Sequence, residues 1–178
     1  MSPRLRLDLV LNDFVAGAIA SRKITVLSDG TPWRPLIDVK DMAAAVDWAV
    51  ARDAASGGDF LVVNTGSNEW NYQVRNLAEA VAGVIPGVEV SINSDAQADT
   101  RSYRVDFGLF RSLAPHAYPA CTLDETVVGL RDGLVAMGFN DQDFRNSRFI
   151  RLKILENLTS RGLLDGQLRW TFRSRTAA

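Results

Sequence analysis

Few of the residues that build metal and redox sites occur in this sequence. A single cysteine, Cys121, excludes an intrachain disulfide, and a reducing compartment, the cytoplasm, is the expected location. The one histidine, His116, stands between Pro115 and Ala117 in a predicted loop and lacks the partners of the usual zinc sites. We therefore expect no metal site, and we expect His116 to be solvated and without a catalytic role.

A strong overall charge and long apolar runs are also missing. The formal net charge is -1 at pH 7, so the chain has no global attraction to nucleic acid. No run reaches the roughly 20 apolar residues of a membrane span, and Arg6, Asp8 and Asp13 interrupt the apolar stretch 5–20, which argues against a signal peptide. Residues 145–178 are basic, and a solvated helix face is favoured there over an anionic partner. Neither nucleic acid nor a membrane is an expected partner.

The glycine-rich loops that bind nucleotide phosphates are absent from the sequence. It contains no G-x-G-x-x-G and no Walker sequence, so an autonomous mononucleotide or dinucleotide site is not expected. The G-x-S-x-G elbow of the serine hydrolases is absent as well. We therefore expect this chain to bind no cofactor by itself.

Five helices are predicted from apolar residues that recur every three or four positions. Asn71 is expected to cap the third helix, whereas Thr122 and Glu125 form a capping box for the fourth. Gly138 and Gly162 are expected to end the last two helices. The predicted helices cover residues 5–20, 40–52, the segment from Asn71 to Ile85, the segment from Thr122 to about Met137, and 145–161.

Four short segments predict strands, so that helices and strands alternate along the chain. The run from Phe60 to Val63 is continuously apolar and precedes Asn64-Thr65-Gly66, which is typical of a strand covered on both faces in a parallel sheet. A turn is predicted over residues 28–31, where Asp29-Gly30 tolerates a positive φ. The predicted strands are 24–27, 34–39, 60–63 and 88–92. The alternation indicates an α/β fold or a portion of one.

Three arginines near turns and strand ends are candidates for binding an anion. Arg34, Arg101 and Arg104 carry guanidinium groups that fork onto a diphosphate with a geometry that lysine lacks. Spacing alone favours surface ion pairs instead, for instance with Asp38 or Asp99. Both interpretations stay open at this point.

The block Ile24–Asp41, ITVLSDGTPWRPLIDVKD, resembles a hallmark of the extended short-chain dehydrogenase/reductases, the family of NAD-dependent nucleotide-sugar epimerases and dehydratases. Three further segments support the resemblance: Phe60–Gly66, Ala98–Asp106 and Leu123–Leu134. The similarity runs from about residue 3 to about residue 137, and residues after Gly138 fall outside the family pattern. The resemblance implies a substrate-binding portion over 1–138 and a basic helical extension over 139–178.

Members of this family carry G-x-x-G-x-x-G in a Rossmann half and a catalytic Tyr-x-x-x-Lys pair. This sequence has neither, since the residues four positions after Tyr72, Tyr103 and Tyr118 are Asn76, Phe107 and Thr122. The resemblance therefore implies the C-terminal portion of such an enzyme, N-terminally truncated, with an incomplete Rossmann sheet. NAD(P) serves the intact family, but this chain alone is expected to have no catalytic residue.

The resemblance also implies roles for particular residues and partners. Arg34 and Arg101 would contact the diphosphate of a nucleotide sugar, and Asn12 would line the same pocket. Asp38 stands where many relatives carry His, Tyr or Asn, which sets this chain apart at that position. An N-terminal Rossmann half or a homo-oligomer is the expected protein partner. The alternatives are a non-catalytic assembly protein and a decayed or mis-started reading frame.

Overall fold

The computed structural model describes residues 5–96 and 101–171. Within these ranges six α-helices and four short strands alternate, which confirms the predicted α/β class. The strands are β1 (Lys23–Val26), β2 (Trp33–Pro35), β3 (Asn71–Gln73) and β4 (Glu89–Ile92). The helices are α1 (Val10–Ser21), α2 (Val39–Ala51), α3 (Val74–Val84), α4 (Gly108–Leu113), α5 (Leu123–Ala136) and α6 (Arg151–Ser160).

The main core forms around a parallel pair of strands covered by three helices. β1 pairs with β4, and Ile24 lies opposite Val90 in the register. α3 is the crossover between the two strands, and α1, α3 and α5 pack against one another. Their buried apolar side chains are contributed at helical spacing, as on α3, where Leu77 and Val81 are fully buried.

A second, antiparallel pair of strands lies beside this core. β2 pairs with β3 so that Arg34 lies opposite Tyr72. The preceding turn brings Gly30 to a φ of 79°, as the Asp-Gly sequence predicts. The predicted strand 34–39 is too long, because it ends at Pro35 and Asp38 instead caps α2 by accepting a hydrogen bond from the Lys40 amide at 2.8 Å.

The boundaries of three predicted helices need correction. α1 begins at Val10 and not at residue 5, because the Leu7 amide donates to the Phe149 carbonyl at 3.2 Å and Leu7 enters the core outside any helix. Asn71 does not cap α3: it lies in β3, and Gln73 stands at the N-cap. The last helix begins at Arg151 and not at 145, since residues 144–146 form a 3₁₀ turn.

The predicted strand from Phe60 to Val63 is wrong for the described chain. The segment has no regular secondary structure and pairs with no other described strand. Phe60 is 84% exposed and Val62 is 78% exposed. The segment has the composition of a strand buried inside a parallel sheet, but among the described residues it joins no sheet.

The capping box of α5 is confirmed. The Thr122 hydroxyl accepts from the Glu125 amide at 3.2 Å, and the Glu125 carboxylate accepts from the Thr122 amide at 2.8 Å. The hydrogen bonds that the Glu125 carboxylate accepts from the Thr122 amide and from the Thr122 hydroxyl lower the pKa of Glu125, because they favour its ionised form. They also fix the start of the helix whose side chains Val127, Leu130 and Leu134 enter the core.

The chain beyond Gly138 continues into the main core before it reaches α6. Phe139 and Phe144 are buried there, and their rings meet edge to face with centroids 6.2 Å apart. α6 itself buries no residue. The proposed boundary between residues 138 and 139 stays a prediction.

None of the helices in the described ranges is long and apolar enough to cross a membrane. Within the same ranges, no three His, Cys, Asp or Glu side chains come together as metal ligands would.

Candidate functional site

A cleft of about 1210 Å³ opens between α1, the β2–β3 pair and the start of α5. Three elements that are far apart in sequence bring Asn12, Arg34 and Arg101 to its wall. These are the three residues that sequence analysis selected as candidates for substrate binding. Much of the remaining wall is apolar.

One end of the cleft is built around Arg34 on β2. Its guanidinium donates to the carbonyl of the preceding residue, Trp33, at 2.8 Å. It also donates to the carbonyl of Arg101 at 2.6 Å. Arg104 stacks its guanidinium over the Trp33 ring, 4.6 Å from the ring centroid. Three arginines therefore gather around one strand.

The predicted ion pairs of these arginines are not settled by the described contacts. Asp99 lies outside the described residues. Asp38 is 9% exposed, and its carboxylate accepts from the Lys40 amide at 2.8 Å and from the Thr126 hydroxyl at 2.6 Å. Asp38 thus joins α2 to α5 at the floor of the cleft.

The other end of the cleft is formed by α1 and by the chain after α5. Asn12 is half-buried and donates to the Arg6 carbonyl at 2.8 Å. Asp13 accepts two hydrogen bonds from Arg145, at 2.8 and 2.7 Å, and this pairing raises the pKa of Arg145. Sequence analysis did not select Arg145, because only the basic composition of its segment pointed to it.

Asp41 is a second buried carboxylate that sequence analysis did not select. It lies on the first turn of α2 and accepts from the amides of Ala120 and Cys121 at 3.1 and 3.2 Å. Burial raises the pKa of the Cys121 thiol, and the nearby carboxylates of Asp38 and Asp41 raise it further. Both effects favour the neutral thiol over the thiolate.

Residues 101–107, called the rim segment below, form an irregular stretch along the edge of the cleft. At its outer end the Ser102 hydroxyl accepts from the Trp33 amide at 3.0 Å. At its inner end the Phe107 ring is buried against Gly66. A Cβ on Gly66 would lie 2.5 Å from the ring, and the φ of 153° at Gly66 is one that other residues rarely adopt. The glycine of Asn64-Thr65-Gly66 thus makes room for the rim segment.

Gly66→Ala should lower the free energy of unfolding by about 1–3 kcal/mol, because the added methyl group overpacks the Phe107 ring. Urea denaturation followed by circular dichroism measures the change. Gly83→Ala is the matched control: Gly83 lies inside α3 with nothing within 4 Å of a new Cβ, and it should gain stability by about 0.4–1 kcal/mol. Equal stabilities of wild type and Gly66→Ala would contradict the close contact.

The described residues do not fit a dinucleotide. Such a site needs a strand that leads through a glycine-rich turn into the N-terminus of a helix. β1 leads instead through residues 28–31 into β2, and β4 leads into a non-helical segment. That this chain binds no cofactor alone stays a prediction.

Comparisons with known proteins agree with the resemblance seen in the sequence. Residues 2–66 match the model of the NAD dependent epimerase/dehydratase family. UDP-glucuronic acid decarboxylase 3 of Arabidopsis thaliana is 28% identical over 158 residues, which cover 87% of this chain and 40% of that protein. The structure of RMD from Pseudomonas aeruginosa complexed with NADPH superposes with a TM-score of 0.58 at 18% identity, covering 74% of this chain and 44% of that one.

The chain spans less than half the length of either relative. The solved structure supports the fold alone, because its identity to this chain is low. The family match lies at the beginning of this chain, which does not bear out an assignment to the C-terminal portion only. That assignment stays a prediction.

Proposed function

Because this chain is related to the NAD-dependent epimerases and dehydratases through residues 2–66, we propose that its cleft binds a nucleoside-diphosphate sugar. The observation that carries the proposal is the shared wall formed by Asn12, Arg34 and Arg101. A diphosphate carries at least two negative charges, and two arginines at one end of a cleft match it in charge and in forked geometry. The Asn12 amide supplies neutral donor and acceptor atoms for a sugar hydroxyl.

Catalysis by this chain alone is not part of the proposal. None of its three tyrosines has a lysine four positions later, and it has no glycine-rich phosphate loop. Hydride transfer in the family needs both the tyrosine base and the dinucleotide. The chain would therefore hold the sugar nucleotide, and a separate Rossmann half would supply the chemistry.

An exposed face of α2 supports a protein partner. Four apolar side chains, called the α2 face, follow one another at helical spacing and are all exposed: Val39, Met42, Val46 and Val50. The opposite side of this helix is attached through Ala45 and Trp48, which pack against Phe110, and through the carboxylates of Asp38 and Asp41. We propose that a Rossmann half covers the α2 face, and a second copy of the chain is the alternative. Assembly without a small ligand is the second candidate function, favoured by the same face.

Titration calorimetry with a graded set of ligands tests the proposal. UDP-glucuronic acid and UDP should both bind, and uridine should bind about 100-fold more weakly or worse, because it lacks the charged hydrogen-bond acceptors. NAD and NADP should give no saturable heat. Equal affinities for UDP and uridine would show that the cleft does not recognise the diphosphate. If no uridine nucleotide binds, assembly with a protein partner is the function that remains. Micromolar binding of NAD would show that the cofactor site is not confined to another polypeptide.

A further inference from the structure

The rim segment is irregular and mostly exposed, yet it carries Arg101 to the wall of the cleft. An irregular segment holds a side chain in place only if its backbone is anchored elsewhere. The groups that anchor residues 101–107 therefore determine where Arg101 lies in the cleft.

Asn71 is the most completely engaged side chain beside this segment. Its Oδ1 accepts from the Val105 amide at 2.9 Å, and its Nδ2 donates to the Val105 carbonyl at 3.0 Å. Nδ2 also donates to the Asn68 carbonyl at 3.1 Å. The amide group of Asn71 thus pairs with both backbone polar groups of one residue, as a neighbouring β-strand would.

Burial makes these hydrogen bonds consequential. Asn71 is 8% exposed, and Val105 is half-buried beneath the rim segment. If the amide were lost, the N–H and C=O of Val105 would lose their partners in a place where water replaces them poorly. No other residue type of this size offers a donor and an acceptor in one plane.

Asn68 provides a second anchor two positions further along the rim segment. Its Oδ1 accepts from the Phe107 amide at 2.9 Å. Asn68 lies in the 3₁₀ turn Asn68–Trp70, which leads directly into β3. The two asparagines therefore bind Val105 and Phe107 to the segment Asn68–Asn71, where the 3₁₀ turn meets β3.

The outer half of the rim segment is attached to β2. The Tyr103 amide donates to the Trp33 carbonyl at 3.4 Å, and Arg34 donates to the Arg101 carbonyl at 2.6 Å. Because β2 pairs with β3, Asn71 lies opposite Pro35 on the same small sheet. Asn71 on β3 and Arg34 on β2 thus belong to the same pair of strands.

We propose that Asn71 is the positioning residue for the anion-binding end of the cleft. It fixes the backbone of the rim segment at Val105 and, together with the contacts to β2, holds Arg101 beside Arg34. Asn68 supports it at the inner end. This inference rests on the proposed binding of a nucleoside diphosphate, but the anchoring of the rim segment is testable without any ligand.

The test compares three variants by amide hydrogen exchange and by titration with UDP. Asn71→Leu keeps the bulk of the side chain but removes both hydrogen-bonding groups. Asn68→Ala removes only the inner anchor. Gln73→Ala is the matched control, since Gln73 lies on the same strand and its amide donates to the Thr31 carbonyl, away from the rim segment.

In Asn71→Leu the Val105 amide should exchange at least about tenfold faster, while amides of the β1–β4 pair keep their wild-type rates. UDP affinity should fall about tenfold, and the unpaired Val105 groups should lower the melting temperature by a few degrees. Asn68→Ala should speed exchange of the Phe107 amide and weaken UDP binding less. Gln73→Ala should leave the Val105 rate and the UDP affinity unchanged.

Three results would overturn the inference. One is an unchanged Val105 rate in Asn71→Leu. Another is a faster Val105 rate with wild-type UDP affinity. The third applies if Asn71→Leu exchanges faster throughout the core, so that the variant is globally destabilised. In that case Asn68→Ala provides the test, and faster exchange of its Phe107 amide with unchanged UDP affinity would contradict the positioning role. Failure of wild type to bind UDP would contradict the proposed function instead, and the exchange rates would still report on the anchor.

Discussion

Met42→Glu combined with Val46→Lys should convert this chain from an associating species into a monomer. Both side chains lie in the α2 face, and the pair of substitutions leaves the net charge unchanged. Covering a large apolar side chain is worth about 1.5–3 kcal/mol, so two lost contacts should weaken association about 10²- to 10⁴-fold. Glu and Lys are good helix formers, so α2 itself should persist.

Light scattering coupled to size-exclusion chromatography measures this change over a range of concentrations. Val135→Glu is the control, because Val135 is a similarly exposed apolar residue on α5 and outside the α2 face. It should leave association unaltered. A wild-type chain that is monomeric at high concentration and melts cooperatively would contradict the prediction, since its α2 face would then need no partner.

Arg34→Ala and Arg101→Ala should each weaken UDP binding by about 1.5–3 kcal/mol, the range for hydrogen bonds to charged groups. The two effects should not add, because Arg34 also donates to the Arg101 carbonyl and its loss disturbs both residues. Arg34→Lys should recover only part of the affinity, since lysine keeps the charge but not the fork.

Titration calorimetry at fixed salt concentration measures these affinities. Arg22→Ala serves as the control, because Arg22 is exposed at the end of α1 and donates to the Pro86 carbonyl, outside the cleft. Its UDP affinity should match that of wild type. Wild-type affinity in both Arg34→Ala and Arg101→Ala would return these two side chains to the surface ion-pair interpretation.

Local signals explain which parts of the fold the sequence predicted well. The capping box of α5 lies within four residues, and its hydrogen bonds form from those residues alone. The strand β1 shows an alternating burial that is likewise a local pattern, since Ile24 and Val26 are buried and their neighbours are not. Such elements are predictable because the deciding interactions are close in sequence.

Signals that depend on distant residues led to the wrong predictions. Asn71 is a good capping residue by type, but its amide binds Val105, which is 34 positions away. The apolar run from Phe60 to Val63 has strand composition, but a strand also needs a partner, and the run pairs with none of the described strands. Composition could not reveal either outcome.

The candidate site shows the same division. Arg34 and Arg101 were selected from residue type and family resemblance, and they do line one cleft. Arg145 and Asn71 were missed, because each acts through a partner far along the chain: Arg145 pairs with Asp13, 132 positions away. A long-range hydrogen bond to a carboxylate or to backbone leaves no spacing that a single sequence displays.

The two carboxylates at the start of α2 have a consequence for the order in which the chain folds. Asp38 bonds to Thr126 across 88 positions, and Asp41 bonds to Ala120 across 79. Contacts that close such long loops form late, whereas α3 and β4 are adjacent in sequence and can associate early. Trp48 near the end of α2 meets the Phe110 ring of α4, with centroids 5.5 Å apart, whereas the start of the helix waits for Ala120 and Thr126. Nascent chains should therefore acquire the floor of the cleft only after residue 126 has been synthesised.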